Sequence, residues 1–163
     1  MPADCSTKRK LTTTNSMKIF IGADHNGFDM KAALITALQK SGHDVVDEGD
    51  KTHDPADDFP QFAAQVVTAM RAEGDKAVGI LICGSGQGMC IAANRYKGIR
   101  ASLVWNEHEA HAARNDDDSN VLCLPARSIN SEQAIAIAEA WLRTPFAGAA
   151  RFKRRIAELD SLG

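Results

Sequence analysis

The stretch Ile80-Leu81-Ile82-Cys83-Gly84-Ser85-Gly86-Gln87-Gly88-Met89 decides how the chain is read. It opens as an unbroken apolar run, the pattern of a strand covered on both faces, then breaks into a glycine-rich turn and resumes as a helix. In an open parallel sheet, ligands bind beyond the carboxyl ends of the strands, where the following helix presents unpaired N–H groups. Gly84, Gly86 and Gly88 let backbone amides come close to an anion, and Ser85 adds a hydroxyl donor. The turn is a site for negative charge, with the Cys83 thiol at its edge. It is neither a P-loop, which needs Lys-Ser or Lys-Thr after the last glycine, nor a dinucleotide fingerprint, which needs G-x-G-x-x-G after the first strand. Position 89 is Met, where a cysteine phosphatase would close its loop with arginine, and no redox C-x-x-C is present.

Around this turn, short β-branched runs alternate with amphipathic segments, the sign of βαβ units. Strands are expected at Lys18–Ala23, Asp44–Asp47, Ala77–Cys83, Ile99–Val104 and Asn120–Leu124. Helical spacing runs from Met30 to Leu38, from Pro60 through Met70, from the glycine turn to about Tyr96, from Asn106 to about Asn115, over Ser131–Arg143, and from about Ala149 to Leu162. The expected fold is a single Rossmann-like α/β/α sandwich on a mostly parallel five-stranded sheet. Residues 17–163 form this domain, and the polar residues 1–16 read as a flexible leader without the apolar core of a secretory signal.

At 163 residues and 44% hydrophobic, the chain has enough apolar material for one real core. A net charge of -2 gives no electrostatic case for nucleic acid or an acidic membrane surface, and no apolar run is long enough to span a bilayer. The four cysteines follow no disulfide or zinc spacing, which implies reduced thiols and a cytoplasmic setting. Cys90 and Cys123 read as inert buried residues. His53 with Asp57 and Asp58 reads as a solvated loop, and His108 with His111, three residues apart, as a helix surface rather than a metal site.

A thiol between a buried strand and a helix feels the positive end of the helix dipole, which favours the thiolate and makes Cys83 a candidate base. A base beside amides arranged for an oxyanion suits proton abstraction next to a carbonyl. Aldose–ketose isomerisation is such a reaction. Arg151 and Arg155, one helical turn apart, can together grip one phosphate, which makes the substrate a phosphorylated sugar. No metal or organic cofactor is needed, because the base itself carries the proton between adjacent carbons.

Gly22-Ala23-Asp24-His25-Asn26-Gly27-Phe28, Asp58-Phe59-Pro60, Ile82-Cys83-Gly84-Ser85-Gly86-Gln87-Gly88, Ala92-Ala93-Asn94, Gly98-Ile99-Arg100-Ala101 and Asn120-Val121-Leu122 together resemble the ribose-5-phosphate isomerase B family, which includes galactose-6-phosphate isomerase subunits. The resemblance covers Met17 to about Leu159. It implies interconversion of ribose 5-phosphate and ribulose 5-phosphate, with Cys83 as the base and the turn Gly84, Ser85, Gly86, Gln87 and Gly88 holding the enediolate. It also implies substrate contacts from Asp24, His25, Arg127, Arg151 and Arg155, and a homodimer, or a tetramer built from dimers, with sites across the subunit interface.

One departure bears on the chemistry. Where the family reads His-Asn-Asp-x-Asn before its last strand, this chain has Asp116-Asp117-Asp118-Ser119-Asn120, so Asp116 stands for the ring-opening His and Asp117 for a substrate-binding Asn. Phe59 stands where many relatives have Tyr. An ionised carboxylate donates a proton poorly unless its surroundings raise its pKa. Three alternatives follow: Asp116 is a substitute acid, the substrate is a sugar phosphate needing no ring opening, or His111 moves in. The same chemistry on a tetrose or hexose phosphate, and a sugar-phosphate binder without catalysis, are the competing functions.

Overall fold

The computed structural model describes residues 17–163, and the expected leader over 1–16 lies outside the described residues. Five strands, β1 (Lys18–Ala23), β2 (Asp44–Asp47), β3 (Ala77–Cys83), β4 (Ala101–Leu103) and β5 (Val121–Pro125), form one sheet in the order β2-β1-β3-β5-β4. Every pairing is parallel, so the sheet expected to be mostly parallel is wholly so. The helices are α1 (Phe28–Lys40), α2 (Phe59–Glu73), α3 (Gln87–Ala93), α4 (Glu107–Asp117), α5 (Ser131–Arg143) and α6 (Ala150–Asp160). None in the described residues is long and apolar enough to cross a membrane.

β3 lies at the centre, and all of its residues are buried, which is why its sequence is apolar at consecutive positions rather than alternating. One face of the sheet is covered by α1, α4 and α5 through Leu34, Leu38, Ala110, Ala134, Ala138 and Trp141. Phe62, Val66 and Val67 of α2 and Met89 and Ala93 of α3 cover the other. Burying each of the larger of these side chains stabilises the fold by about 1.5–3 kcal/mol. Trp141, fully buried, also donates its indole N–H to Ser119 Oγ at 3.2 Å, so no polar atom of it is stranded.

The chain leaves β1 for β2 in one direction and β3 for β5 and β4 in the other. The topological switch therefore falls between β1 and β3, and a crevice opens beyond their carboxyl ends. Three local features differ from the sequence expectation. α3 ends at Ala93 rather than near Tyr96. β4 is shorter than Ile99–Val104, because Asn94 takes up both the N–H (2.8 Å) and the C=O (2.9 Å) of Ala101 at its start. α4 extends to Asp117, closed by Asp118 in the left-handed conformation (φ 46°) with its N–H on Ala113 O. Asp116 and Asp117 are thus in the last helical turn, not in a loop.

Candidate active site

The crevice at the switch point is walled by the segments that follow β1, β3 and β5. Cys83 ends β3, only 4% exposed. Its carbonyl accepts from Ala126 N–H (2.9 Å), and Gly84 O accepts from Arg127 N–H (2.9 Å), which ties the glycine turn to the segment after β5. Gly86 caps α3 in a left-handed conformation (φ 74°), a geometry that costs a residue with a Cβ roughly 1–2 kcal/mol. Ser85 and Gln87 are exposed, with Ser85 Oγ accepting from Gln87 N–H at 3.4 Å. A Cβ on Gly84 would lie 2.8 Å from the Arg127 guanidinium carbon, and one on Gly88 would lie 2.8 Å from the Phe59 ring. Arg127 therefore lies directly over the turn, and Phe59 closes its other side. The first N–H groups of α3 have no acceptor within the helix, which leaves them for an oxyanion.

After β1, the Asp24 carboxylate accepts from the N–H groups of Asn26 (2.9 Å) and Gly27 (3.3 Å) and bends the chain into a single 3-10 turn, His25–Gly27. A Cβ on Gly27 would lie 2.9 Å from Ile82 O, so this turn packs directly on the end of β3. His25 donates its backbone N–H to Asp57 Oδ1 at 3.1 Å, and its ring Nδ1 lies 2.7 Å from the same oxygen. Asn26 Nδ2 lies 3.1 Å from His25 Nε2, and Asn26 Oδ1 accepts from Arg127 at 3.4 Å. The Asp57 hydrogen bond, reinforced by the charges of Asp24 and Asp57, holds His25 above the usual imidazole range, against its partial burial and Arg127. The reading of Asp57 as part of a solvated loop is corrected here, since its side chain is 3% exposed and orders His25. His53 joins the group edge-on, its ring centre 6.5 Å from that of His25 and 5.6 Å from that of Phe28.

Asp24, His25 and Asp57 each bring a possible ligand atom within 4.8 Å of one another. Asp24 Oδ1 already accepts two backbone N–H groups and Asp57 Oδ1 two from His25, so this is a hydrogen-bonded frame for an imidazole rather than an open cation cage.

Asp116, Asp117 and Arg155 are not brought to Cys83 within one chain, and Arg151 shares α6 with Arg155. Their surroundings are the amino ends of β4 and β5: Arg100 donates to the carbonyls of Asp117 (3.0 Å) and Asp118 (3.0 Å) and pairs with Asp160 of α6 (3.7 Å). Val121 is level with Gly79 of β3, which places Cys83 four residues, about 13 Å, further along the sheet. Asp117, Arg100 and Leu159 line a cavity of about 570 Å³ at this second end. Burial and the neighbouring Asp116 push Asp117 above the usual carboxylate range, while Arg155 and Arg100 pull it back. Asp116 instead accepts from the Asn115 amide at 2.8 Å. Arg151 and Arg155 are both exposed, with Arg151 stacked over the Phe152 ring.

Two motif residues have structural roles instead. Asn94 clamps Ala101, and Asn120 accepts from Arg100 N–H (2.8 Å) and donates to Gly98 O (2.8 Å), joining β5 to the approach to β4. The two remaining described thiols differ from each other. Cys90, half-buried with Sγ 3.3 Å from Ala101 O, is pushed down to about 7, chiefly by its hydrogen bond with the Cys123 thiol, and Asn94 assists. Cys123, fully buried, is pushed well above the usual thiol range by loss of hydration. Hydrogen bonding therefore favours the Cys90 thiolate, a contact the sequence does not reveal. His108 and His111 are both exposed on α4.

The site belongs to the class of α/β proteins that bind an anionic small molecule at a switch point, with a thiol, a carboxylate-held imidazole and an arginine converging on a glycine turn. The family model described as Ribose/Galactose Isomerase matches residues 19–159, and the chain belongs to this family. It is 41% identical to the probable ribose-5-phosphate isomerase B of Mycoplasma genitalium, over 88% of this chain and 94% of that one. A crystal structure of the M. genitalium enzyme with bound ribulose-5-phosphate superposes with a TM-score of 0.85 at 40% identity, covering 88% of this chain and 94% of that one. A ribose 5-phosphate isomerase from Thermotoga maritima also gives 0.85 at 40% identity, covering 90% and 99%.

Proposed function

We propose that the chain is an aldose–ketose isomerase that interconverts ribose 5-phosphate and ribulose 5-phosphate. The observation that carries this reading is the buried Cys83 at the end of the central strand, flanked by the glycine turn and by the Asp24–His25 and Arg127 segments. In the open-chain aldose, the Cys83 thiolate takes the proton from C2. The electron pair forms the C1–C2 double bond, and charge develops on O1 within reach of the amides of the turn. The Cys83 thiol then returns the proton to C1 while the O2 proton passes to O1, which leaves a ketone at C2 and a hydroxyl at C1. His25 and Arg127 offset the charge of the bound anion.

A second copy of the chain supplies Asp116, Asp117, Arg151 and Arg155, since their own Cys83 is out of reach across the sheet. This reading calls for a homodimer with sites across the interface. In it, the Asp116–Asp117 pair stands in for the ring-opening group. Of the two, Asp117 is the carboxyl whose surroundings favour the protonated form. The same departure also favours a second reading, in which the altered acids mark a tetrose or hexose phosphate as substrate. Turnover of ribose 5-phosphate by the full chain, beside a panel of tetrose and hexose phosphates, separates the two. Preference for ribose 5-phosphate upholds the first, preference for another sugar the second, and silence across the panel refutes both.

A further inference from the structure

Asp57 is the residue of this site that its sequence setting least suggests, because it lies in a polar loop 32 positions from the histidine it holds. One carboxylate oxygen takes two donors from His25, the backbone N–H and ring Nδ1, so the ring is fixed in both position and rotation. A carboxylate only accepts, so Nδ1 carries a proton. Asn26 Oδ1 is occupied by Arg127, which turns the Asn26 Nδ2 donor toward His25 Nε2 at 3.1 Å. Nε2 then acts as an acceptor, which is the arrangement of the neutral imidazole. The dianion of a sugar phosphate offers oxygens that only accept. Nε2 must gain a proton to bond one, and the buried Asp57 makes that gain favourable.

We propose that Asp57 is a positioning residue that fixes His25 so that substrate phosphate binds together with one proton, taken up at Nε2. This rests on the reading of His25 as a substrate contact. The groups facing the imidazole are Asp57 from the loop before α2, Asp24 at the end of β1, Arg127 after β5, and the edge of the His53 ring. The two carboxylates favour the proton, and Arg127 opposes it. Since the same Asp57 hydrogen bond raises the His25 pKa, phosphate affinity persists to higher pH than a free imidazole would allow and falls as pH rises through the titration of His25.

The test uses methyl phosphate, whose dianion also carries no P–OH, and full-length protein, so it needs no turnover. Calorimetry in buffers of different ionisation heat should show net proton uptake on methyl phosphate binding above pH 7. In Asp57→Asn, the His25 imidazole resonances should titrate at lower pH, and methyl phosphate should bind about tenfold more weakly at pH 7.5, the scale of one lost charge-assisted bond. The alkaline rise in KM should move down in pH with little change in kcat, and Asp57→Glu should recover part of the affinity. Absence of proton uptake by the unaltered chain, or an unmoved His25 titration in a folded Asp57→Asn variant, overturns the proposal. Methyl phosphate binding with proton uptake but no isomerisation of sugar phosphates would instead remove the isomerase reading and leave this one standing.

Discussion

Replacing Gly86 with Ala tests whether the glycine turn is set by backbone geometry, and its cost can be worked out from two features. Gly86 has φ 74°, a conformation costing an L-residue about 1–2 kcal/mol. The added Cβ would also lie 2.4 Å from Leu103 Cδ1 and 3.2 Å from the backbone of Leu124 and Pro125. Leu103 can rotate away, but the end of β5 is held by its pairing with β3, so about 1–2 kcal/mol of overpacking remains. The sum, about 2–4 kcal/mol, is a large part of the roughly 5–15 kcal/mol that holds a domain together. Urea unfolding followed by circular dichroism should show a lower midpoint at unchanged slope. Gly84→Ala is the control: its φ is not left-handed, and the atoms its Cβ meets are the tip of Arg127. It should cost under about 1 kcal/mol in stability yet raise KM, because it displaces that guanidinium. A loss under about 0.5 kcal/mol in Gly86→Ala, or equal losses in both variants, would refute the reasoning.

Further outcomes follow from the same geometry. Cys83→Ala and Arg155→Ala proteins, each inactive alone, should regain activity when mixed and refolded together, to about a quarter of the unaltered level, because a mixed dimer holds one intact site; no recovery would place both residues in one subunit's site. Limited iodoacetamide treatment near pH 7 should modify Cys90 before Cys83 or Cys123, as mass spectrometry of peptides will report, since Cys90 is half-buried and its hydrogen bonds push the thiol down to about 7. Asp117→Asn should raise the melting temperature at pH 7 and not at pH 3. A carboxyl whose pKa folding raises opposes the fold increasingly as pH climbs from its usual value toward the raised one, and has no effect well below both, where it is protonated in either state.

The parallel sheet was legible because its strands are buried on both faces, and β3 in particular is apolar at successive positions. The glycine turn was legible as an anion site because the spacing of Gly84, Gly86 and Gly88 has a backbone reason. What escaped were contacts between distant segments that carry no periodic signal. Asp57 looks like any acid in a polar loop until the fold sets it against His25, 32 residues away. The Cys90 hydrogen bond went unseen because its partner, Cys123, arrives from a strand two crossovers later. The end of α4 was placed too early because three successive acids read as a loop, and the left-handed Asp118 that ends the helix has no glycine to announce it.

The most direct test of the central claim is to incubate the chain with ribose 5-phosphate in deuterium oxide and to follow both ketose formation and carbon-bound deuterium by NMR, beside Cys83→Ser. The account predicts ribulose 5-phosphate carrying solvent deuterium at C1 from the unaltered chain, and loss of both product and label in a folded Cys83→Ser protein. Undiminished turnover and exchange in Cys83→Ser would contradict it.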